Sequence, residues 1–142
     1  GGEILFDKEK CKIVKDVHLQ YLISGADIIT TATYQISLPA AILLANEARN
    51  EFLEKNKTKR KPLIALSLGC YGAFLANGSE YTGNYGNVTE DEVYNFHLER
   101  LKTFLNFENF NDFIDILAFE TIPNAFEVKV LKNLFQNFDL MK

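Results

Sequence analysis

Three short apolar runs punctuate the chain, and between them apolar positions recur at the spacing of a helix face. The first run covers residues 26–31, with Ile28 and Ile29 at its centre and Thr30, Thr31 and Thr33 at its exit. The second, residues 63–69, starts behind Pro62. The third, residues 114–121, ends abruptly in Glu120, with Pro123 just beyond. Near-continuous apolar runs of this length read as strands of a parallel sheet covered on both faces. Residues 8–24 predict a helix with Ile13, Val17 and Tyr21 on one stripe and Val14 and Leu22 beside it, closed by Gly25 as a C-terminal cap. Ser37 as cap and Pro39 in the first turn predict a second helix, with the stripe Ala41, Leu44, Ala48, Phe52. Thr89-Glu90-Asp91-Glu92 is a capping box, and the helix it opens carries Val93, Phe96, Arg100, Leu101 and Phe104. Residues 109–112 predict a turn. Pro123 and Asn124 open a last helix with Val128, Leu131, Phe135 and Phe138 on one face.

The order is α, β, α, β, α, β, α, which builds parallel βαβ units with right-handed crossovers. Three parallel strands cannot close on themselves. The pattern therefore predicts either a small open α/β domain or a slice of an eight-stranded barrel. No G-x-G-x-x-G or P-loop follows any strand, which weakens a nucleotide-binding version. Residues 70–87 are polar, with Gly72, Gly78, Gly83 and Gly86 set among Tyr71, Tyr81 and Tyr85. A loop of that length inside a domain is usually functional or disordered, and its aromatic content argues against disorder.

Composition narrows the partners. At 142 residues, 47% of them apolar, the chain is read as one domain over residues 1–142 with a real core. The net charge of -4 argues against a nucleic-acid surface. The basic cluster of Lys55, Lys57, Lys59, Arg60 and Lys61 reads as a solvated loop between a helix and a strand. Cys11 and Cys70 have no Cys or His at ligand spacing, so they predict neither a disulfide framework nor a zinc site. The apolar runs are too short to span a bilayer and no signal peptide is evident, so the expectation is a cytoplasmic protein with no membrane partner. The chain opens on Gly1-Gly2 and closes on a helical pattern without a stop signal, so both ends read as cut.

The chemistry gathers at the strand exits. Thr30, Thr31, Thr33, Tyr34 and Gln35 follow the first strand, Ser67, Gly69, Cys70 and Tyr71 the second, and Glu120 and Thr121 the third. In parallel strands these share one rim, where α/β folds bind ligands. A carboxylate, hydroxyls, a glycine and aromatic walls suit a small zwitterion such as an amino acid, with Glu120 meeting its ammonium group. No lysine sits at a strand end to form a Schiff base. His18 and His97 read as packing or helix-surface residues, and Cys70 as an inert thiol.

Three segments also carry a family likeness. Gly25-Ala26-Asp27-Ile28-Ile29-Thr30-Thr31-Ala32-Thr33-Tyr34-Gln35 resembles the second-strand motif of homocysteine S-methyltransferases. Ser67-Leu68-Gly69-Cys70-Tyr71-Gly72-Ala73, with Asn77-Gly78-Ser79-Glu80-Tyr81-Thr82-Gly83-Asn84-Tyr85, resembles the third-strand segment, and Phe119-Glu120-Thr121-Ile122-Pro123-Asn124 the fourth. The resemblance spans nearly the whole chain. It implies a partial (β/α)8 TIM barrel, about strands 2 to 4 with flanking helices. The whole enzyme would move a methyl group from S-methylmethionine or S-adenosylmethionine to homocysteine, forming methionine, with zinc activating the thiol. Glu120 is similar to the glutamate that holds the substrate's amino group, and Thr31, Tyr34 and Gly69 match positions lining the same pocket.

The departures from the family pattern are specific. The family's zinc ligands are cysteines, one on a later strand and an adjacent pair near the C-terminus, and neither Cys11 nor Cys70 matches them. The first strand is missing, with Gly1-Gly2 as its remnant, and the connection after Tyr34 is short. Cys70 replaces a frequent proline and Asn77 a frequent aspartate. The expectation is thus an inactive fragment that self-associates through exposed sheet edges. The competing readings are a non-catalytic truncated or splice product, or an unrelated α/β small-molecule-binding domain.

Overall fold

Ile28–Thr30 (β1), Leu63–Gly69 (β2) and Ile116–Glu120 (β3) form one parallel sheet in the order β1-β2-β3 in the computed structural model, which describes residues 8–56 and 60–137. The helices are Lys8–Ile23 (α1), Ala40–Asn56 (α2), Tyr71–Leu75 (α3), Ser79–Thr82 (α4), Glu90–Leu105 (α5), Phe110–Phe113 (α6) and Ala125–Asn137 (α7). The expected α/β alternation with parallel strands is present. The glycine-rich stretch after β2 is not all loop: it folds α3 and α4 within it. The turn expected at residues 109–112 contains α6, entered through Asn109 at φ 61.

The helices pack on one face of the sheet. Ile64, Leu66 and Leu68 join a single apolar cluster with Ile42, Ala45 and Phe52 of α2, Leu101 and Phe104 of α5, and Leu131 and Leu134 of α7. Each fully buried Leu, Ile or Phe among them contributes about 1.5–3 kcal/mol. Successive strand residues alternate faces, so Ala65, Ser67 and Gly69 look the other way. In register, Ser67 pairs with Ala118 and Gly69 with Glu120. Toward the strand exits the second face is therefore small and polar, while Ile28, Leu63 and Ile116 lie on it at the entry end.

Local signals hold at several joints. Gly25, at φ 104, ends α1 as a Schellman cap: Ala26 N–H reaches Tyr21 O at 3.0 Å and Gly25 N–H reaches Leu22 O at 3.1 Å. The capping box is present at the start of α5, with the Thr89 side chain on Glu92 N–H and the Glu92 side chain on Thr89 N–H. Pro62 precedes β2, which has the expected bounds.

The helix faces differ from the apolar stripes. In α1 the buried face is His18, Leu19 and Leu22, while Ile13, Val17 and Tyr21 are exposed. The helix packs on α2 through that other face, and no described residue covers the stripe. In α2, Ile42 and Arg49 are buried and Leu44 is only half-buried. Arg49 tolerates burial because Nη1 donates to Asp115 Oδ2 at 2.7 Å. Asp115 Oδ2 also accepts from Ile64 N–H at 2.8 Å, so the pair staples α2 to the start of β3. In α5, Phe96 is half-buried while His97 is fully buried. In α7 the buried face is Glu127, Val130, Leu131 and Leu134, leaving Val128 and Phe135 exposed; Phe138 lies outside the described residues. Of the basic cluster, Lys57 and Lys59 lie outside the described residues, Lys55 pairs with Glu51 and Arg60 with Asp27.

Candidate functional site

Parallel register brings the three strand exits to one rim. There Gly69 lies beside Glu120, and Ser67 sits two residues back on the same strand face. Glu120 is half-buried, and Ser67 Oγ donates to its Oε1. Among the described residues Oε2 has no hydrogen-bond partner.

A closed ring of hydrogen bonds fixes Ser67. Its N–H donates to Thr31 Oγ1 at 3.1 Å, and Thr33 Oγ1 donates to its carbonyl at 2.7 Å. The two threonine hydroxyls are 2.6 Å apart. A hydroxyl has one proton, and that of Thr33 is committed to Ser67 O, so Thr31 must donate to Thr33. Thr31 is 3% exposed, and its hydroxyl is used in bracing Ser67. By alternation it shares a face with Ile29, whereas Thr30, paired with Ala65, shares the face of Ser67.

Tyr34 rests on Gly69 because Gly69 has no side chain. A Cβ there would lie 2.6 Å from Tyr34 O and 2.7 Å from ring atom Cε2. The Gly69 N–H donates to Tyr34 O at 3.1 Å. Burial pushes the Tyr34 phenol above its usual pKa, against the lowering effect of its hydrogen bond with the Thr121 side chain; the charges of Glu80 and Glu120 add to the rise. Thr121 itself has φ 57. A β-branched residue in the left-handed region is strained by about 1–2 kcal/mol, and here the strain makes the abrupt exit just after Glu120. Tyr34, Gly69 and Glu120 are thus gathered at one rim, with Thr31 behind it.

Sequence reasoning missed a buried polar layer behind the rim. Arg100, 5% exposed, donates from Nη1 to Gly69 O at 2.9 Å and from Nη2 to Tyr34 O at 2.7 Å and to Thr33 O. One guanidinium therefore ties the exits of β1 and β2. Burial lowers its pKa to about 10. Three residues earlier on α5, His97 places Nε2 2.6 Å from Glu127 Oε1, and both side chains are fully buried. Tyr71 N–H donates to the same Oε1 at 2.7 Å, and Tyr85 Oη donates to Oε2. Burial acts to raise the Glu127 pKa, but the bonds from His97, Tyr85 and Tyr71 outweigh it and hold the carboxyl below its ordinary value. Burial first, and then Glu127, push the Tyr85 phenol strongly upward. The available signal was the i, i+3 placement of His97 and Arg100 on one helix face; Glu127, a carboxylate on a helix, looked like a solvated position.

Cys70 is fully buried at the N-terminus of α3, where Sγ accepts from Ala73 N–H at 3.3 Å. Among the described residues no three His, Cys, Asp or Glu converge as a metal-ligand set. A cleft of about 370 Å³ lies along β1 rather than over Glu120, lined by Val17, His18, Tyr21 and residues 28–32. No described helix is long and apolar enough to cross a membrane.

A family model described as homocysteine S-methyltransferase matches residues 2–141. Homocysteine S-methyltransferase YbgG of Bacillus subtilis is 39% identical over 92% of this chain and 46% of its own length. Homocysteine S-methyltransferase 1 of Zea mays is 38% identical over 87% of this chain and 44% of its own. The crystal structure of the metallated form of the homocysteine methyltransferase MmuM from Escherichia coli superposes with a TM-score of 0.81 at 30% identity, covering 95% of this chain and 50% of that one. The chain spans about half the length of the relatives it matches.

Proposed function

Because this chain belongs to the homocysteine S-methyltransferase family, we propose that it forms the substrate-amine side of such an enzyme's pocket. In this reading the three strands are about strands 2 to 4 of a (β/α)8 barrel. The packing of helices on one face of the sheet, with small and polar residues at the exit end of the other, supports a barrel over an open doubly wound sheet. The whole enzyme transfers a methyl group from S-methylmethionine or S-adenosylmethionine to homocysteine, yielding methionine in the cytoplasm.

Within that reaction these residues bind and orient. Glu120 accepts hydrogen bonds from the homocysteine ammonium through Oε2, while Ser67 fixes Oε1. Tyr34 and Gly69 wall the site, and Thr31 acts from behind by bracing Ser67. The observation that carries the proposal is the Gly69–Glu120 register, with a carboxylate oxygen at the rim that no described residue engages. Zinc, which would activate the thiol, does not fit the residues described. Cys70 is committed to Ala73 N–H, and no ligand set converges elsewhere among them. No step through a metal is assigned to this chain.

Calorimetric titration with homocysteine tests the proposal. The chain should bind it, and Glu120→Gln should weaken binding at least tenfold; equal binding by both would refute the role of Glu120. The chain alone should form no methionine from homocysteine and S-methylmethionine with zinc added, and sustained turnover would contradict that. The outer edges of β1 and β3 have no strand partner among the described residues. Free edges of this kind favour self-association, to be read as a concentration-dependent elution volume.

A further inference from the structure

The excursion from residue 71 to residue 85 begins and ends on one carboxylate. Tyr71 N–H, at its start, donates to Glu127 Oε1 at 2.7 Å; Tyr85 Oη, at its end, donates to Oε2. Between them, Asn124 Nδ2 donates to Gly83 O at 2.8 Å, and Asn124 Oδ1 accepts from Glu127 N–H at 2.9 Å. The whole excursion therefore hangs from the first turn of α7, the helix that follows Glu120. It touches the rim at the other side, where Gln35 Nε2 donates to Ala73 O at 3.3 Å. Gly72 has no room for a Cβ, which would lie 2.7 Å from Glu80 N and from a Tyr85 ring carbon. The two short helices are thus folded tightly on the segment that carries Gly69.

A fully buried carboxylate is costly unless donors satisfy it. Glu127 has three: Tyr71 N–H, Tyr85 Oη and His97 Nε2. A carboxylate only accepts, so His97 donates through Nε2. The other ring nitrogen of His97, Nδ1, has no partner among the described residues. The polar contact of this histidine is spent on holding Glu127 in place.

We propose that Glu127 is a positioning residue that stations residues 71–85 against the rim, with His97 fixing the carboxylate. This rests on the reading of Glu120 as the homocysteine anchor. Glu127 touches no substrate. It acts through Tyr71 and Tyr85, which set the backbone on the far side of Cys70 from the one that Arg100 grips at Gly69 O.

The test compares amide hydrogen exchange in the wild-type chain, Glu127→Gln, Tyr85→Phe and Leu134→Ala, the last as a core control that only lowers overall stability. Glu127→Gln should speed exchange tenfold or more across residues 71–85 while β2 and α2 keep their protection. Tyr85→Phe should free the 79–86 end alone, and Leu134→Ala should raise exchange throughout. Unchanged exchange at 71–85 in Glu127→Gln, or a rise spread evenly over the chain as in the control, would overturn the proposal. A second readout is the ultraviolet titration of the tyrosines. Glu127→Gln should lower one phenol, Tyr85, by the part of its rise that Glu127 causes, with burial still holding it above its ordinary value, and a titration matching wild type would count against the contact. Homocysteine should also dissociate at least fivefold faster from Glu127→Gln, and an equal rate would overturn the link to the rim. Failure of the wild-type chain to bind homocysteine would strike the Glu120 reading alone, because the exchange and titration results decide the role of Glu127 without it.

Discussion

Gly69→Ala is a one-methyl perturbation at the centre of the rim. The new Cβ would lie 2.6 Å from Tyr34 O and 2.7–2.8 Å from two ring carbons, where ordinary contact begins at 3.4 Å. Tyr34 must therefore retreat by about 0.8 Å. Its carbonyl cannot do so freely, because Gly69 N–H holds it at 3.1 Å and Arg100 Nη2 at 2.7 Å. Overpacking of this kind costs about 1–3 kcal/mol. Weakening a neutral and a charged hydrogen bond adds about 1–2 kcal/mol. The gain from a stiffer unfolded chain returns roughly 0.4–1 kcal/mol. The expected net loss is about 1–4.5 kcal/mol in urea unfolding at unchanged slope. At roughly 3–5 °C per kcal/mol for a chain of this size, the melting temperature should fall visibly. Gly78→Ala is the control: no heavy atom lies within 4 Å of its added Cβ, and φ is +86. It should lose only the backbone strain, about 1 kcal/mol. A Gly69→Ala loss under about 0.5 kcal/mol, well inside the range of ordinary surface substitutions, would refute the claim that Tyr34 is wedged against this glycine.

Three further outcomes follow. Glu120→Gln should weaken homocysteine binding by roughly 10- to 150-fold, the loss of one charge-assisted hydrogen bond of about 1.5–3 kcal/mol, with little change in unfolding midpoint. Glu127 has a folded pKa below the ordinary carboxyl value of 4.5. The stability it contributes is therefore present above about pH 4.5 and lost as pH falls through its folded value. Comparing unfolding midpoints between pH 6 and pH 3 should show a steeper acid loss in wild type than in Glu127→Gln, and parallel curves would contradict this. Thr89→Ala should cost about 1 kcal/mol by removing the capping box of α5, measured by urea unfolding.

Much of the fold was legible because its signals are local. A proline before β2, a glycine after α1 and the Thr89–Glu92 pair each act within a few residues, and each has the expected effect. The helix faces were less legible, because a stripe of apolar residues does not say what lies opposite. Ile13, Val17 and Tyr21 form a good stripe, yet α1 turns His18, Leu19 and Leu22 inward. In α7 the apolar stripe shares Leu131 with the buried face, which a carboxylate also occupies, an arrangement that depends on donors from residues 71, 85 and 97. The rim shows the same division. Glu120 and Gly69 are visible as strand-end residues, while Arg100, which ties Gly69 to Thr33 and Tyr34, lies 31 residues from Gly69 and declares itself only in three dimensions. The family resemblance implies that Thr31 lines the pocket; its hydroxyl is engaged with Ser67 and Thr33, a partnership no spacing rule reports.

The central claim is that the rim recognises an ammonium group through Glu120. Titrating the chain in parallel with homocysteine and with its desamino analogue, 4-mercaptobutyrate, tests this most directly. The account predicts that homocysteine binds and that the analogue, lacking the amine, binds at least tenfold more weakly. Equal affinity for the two would contradict it.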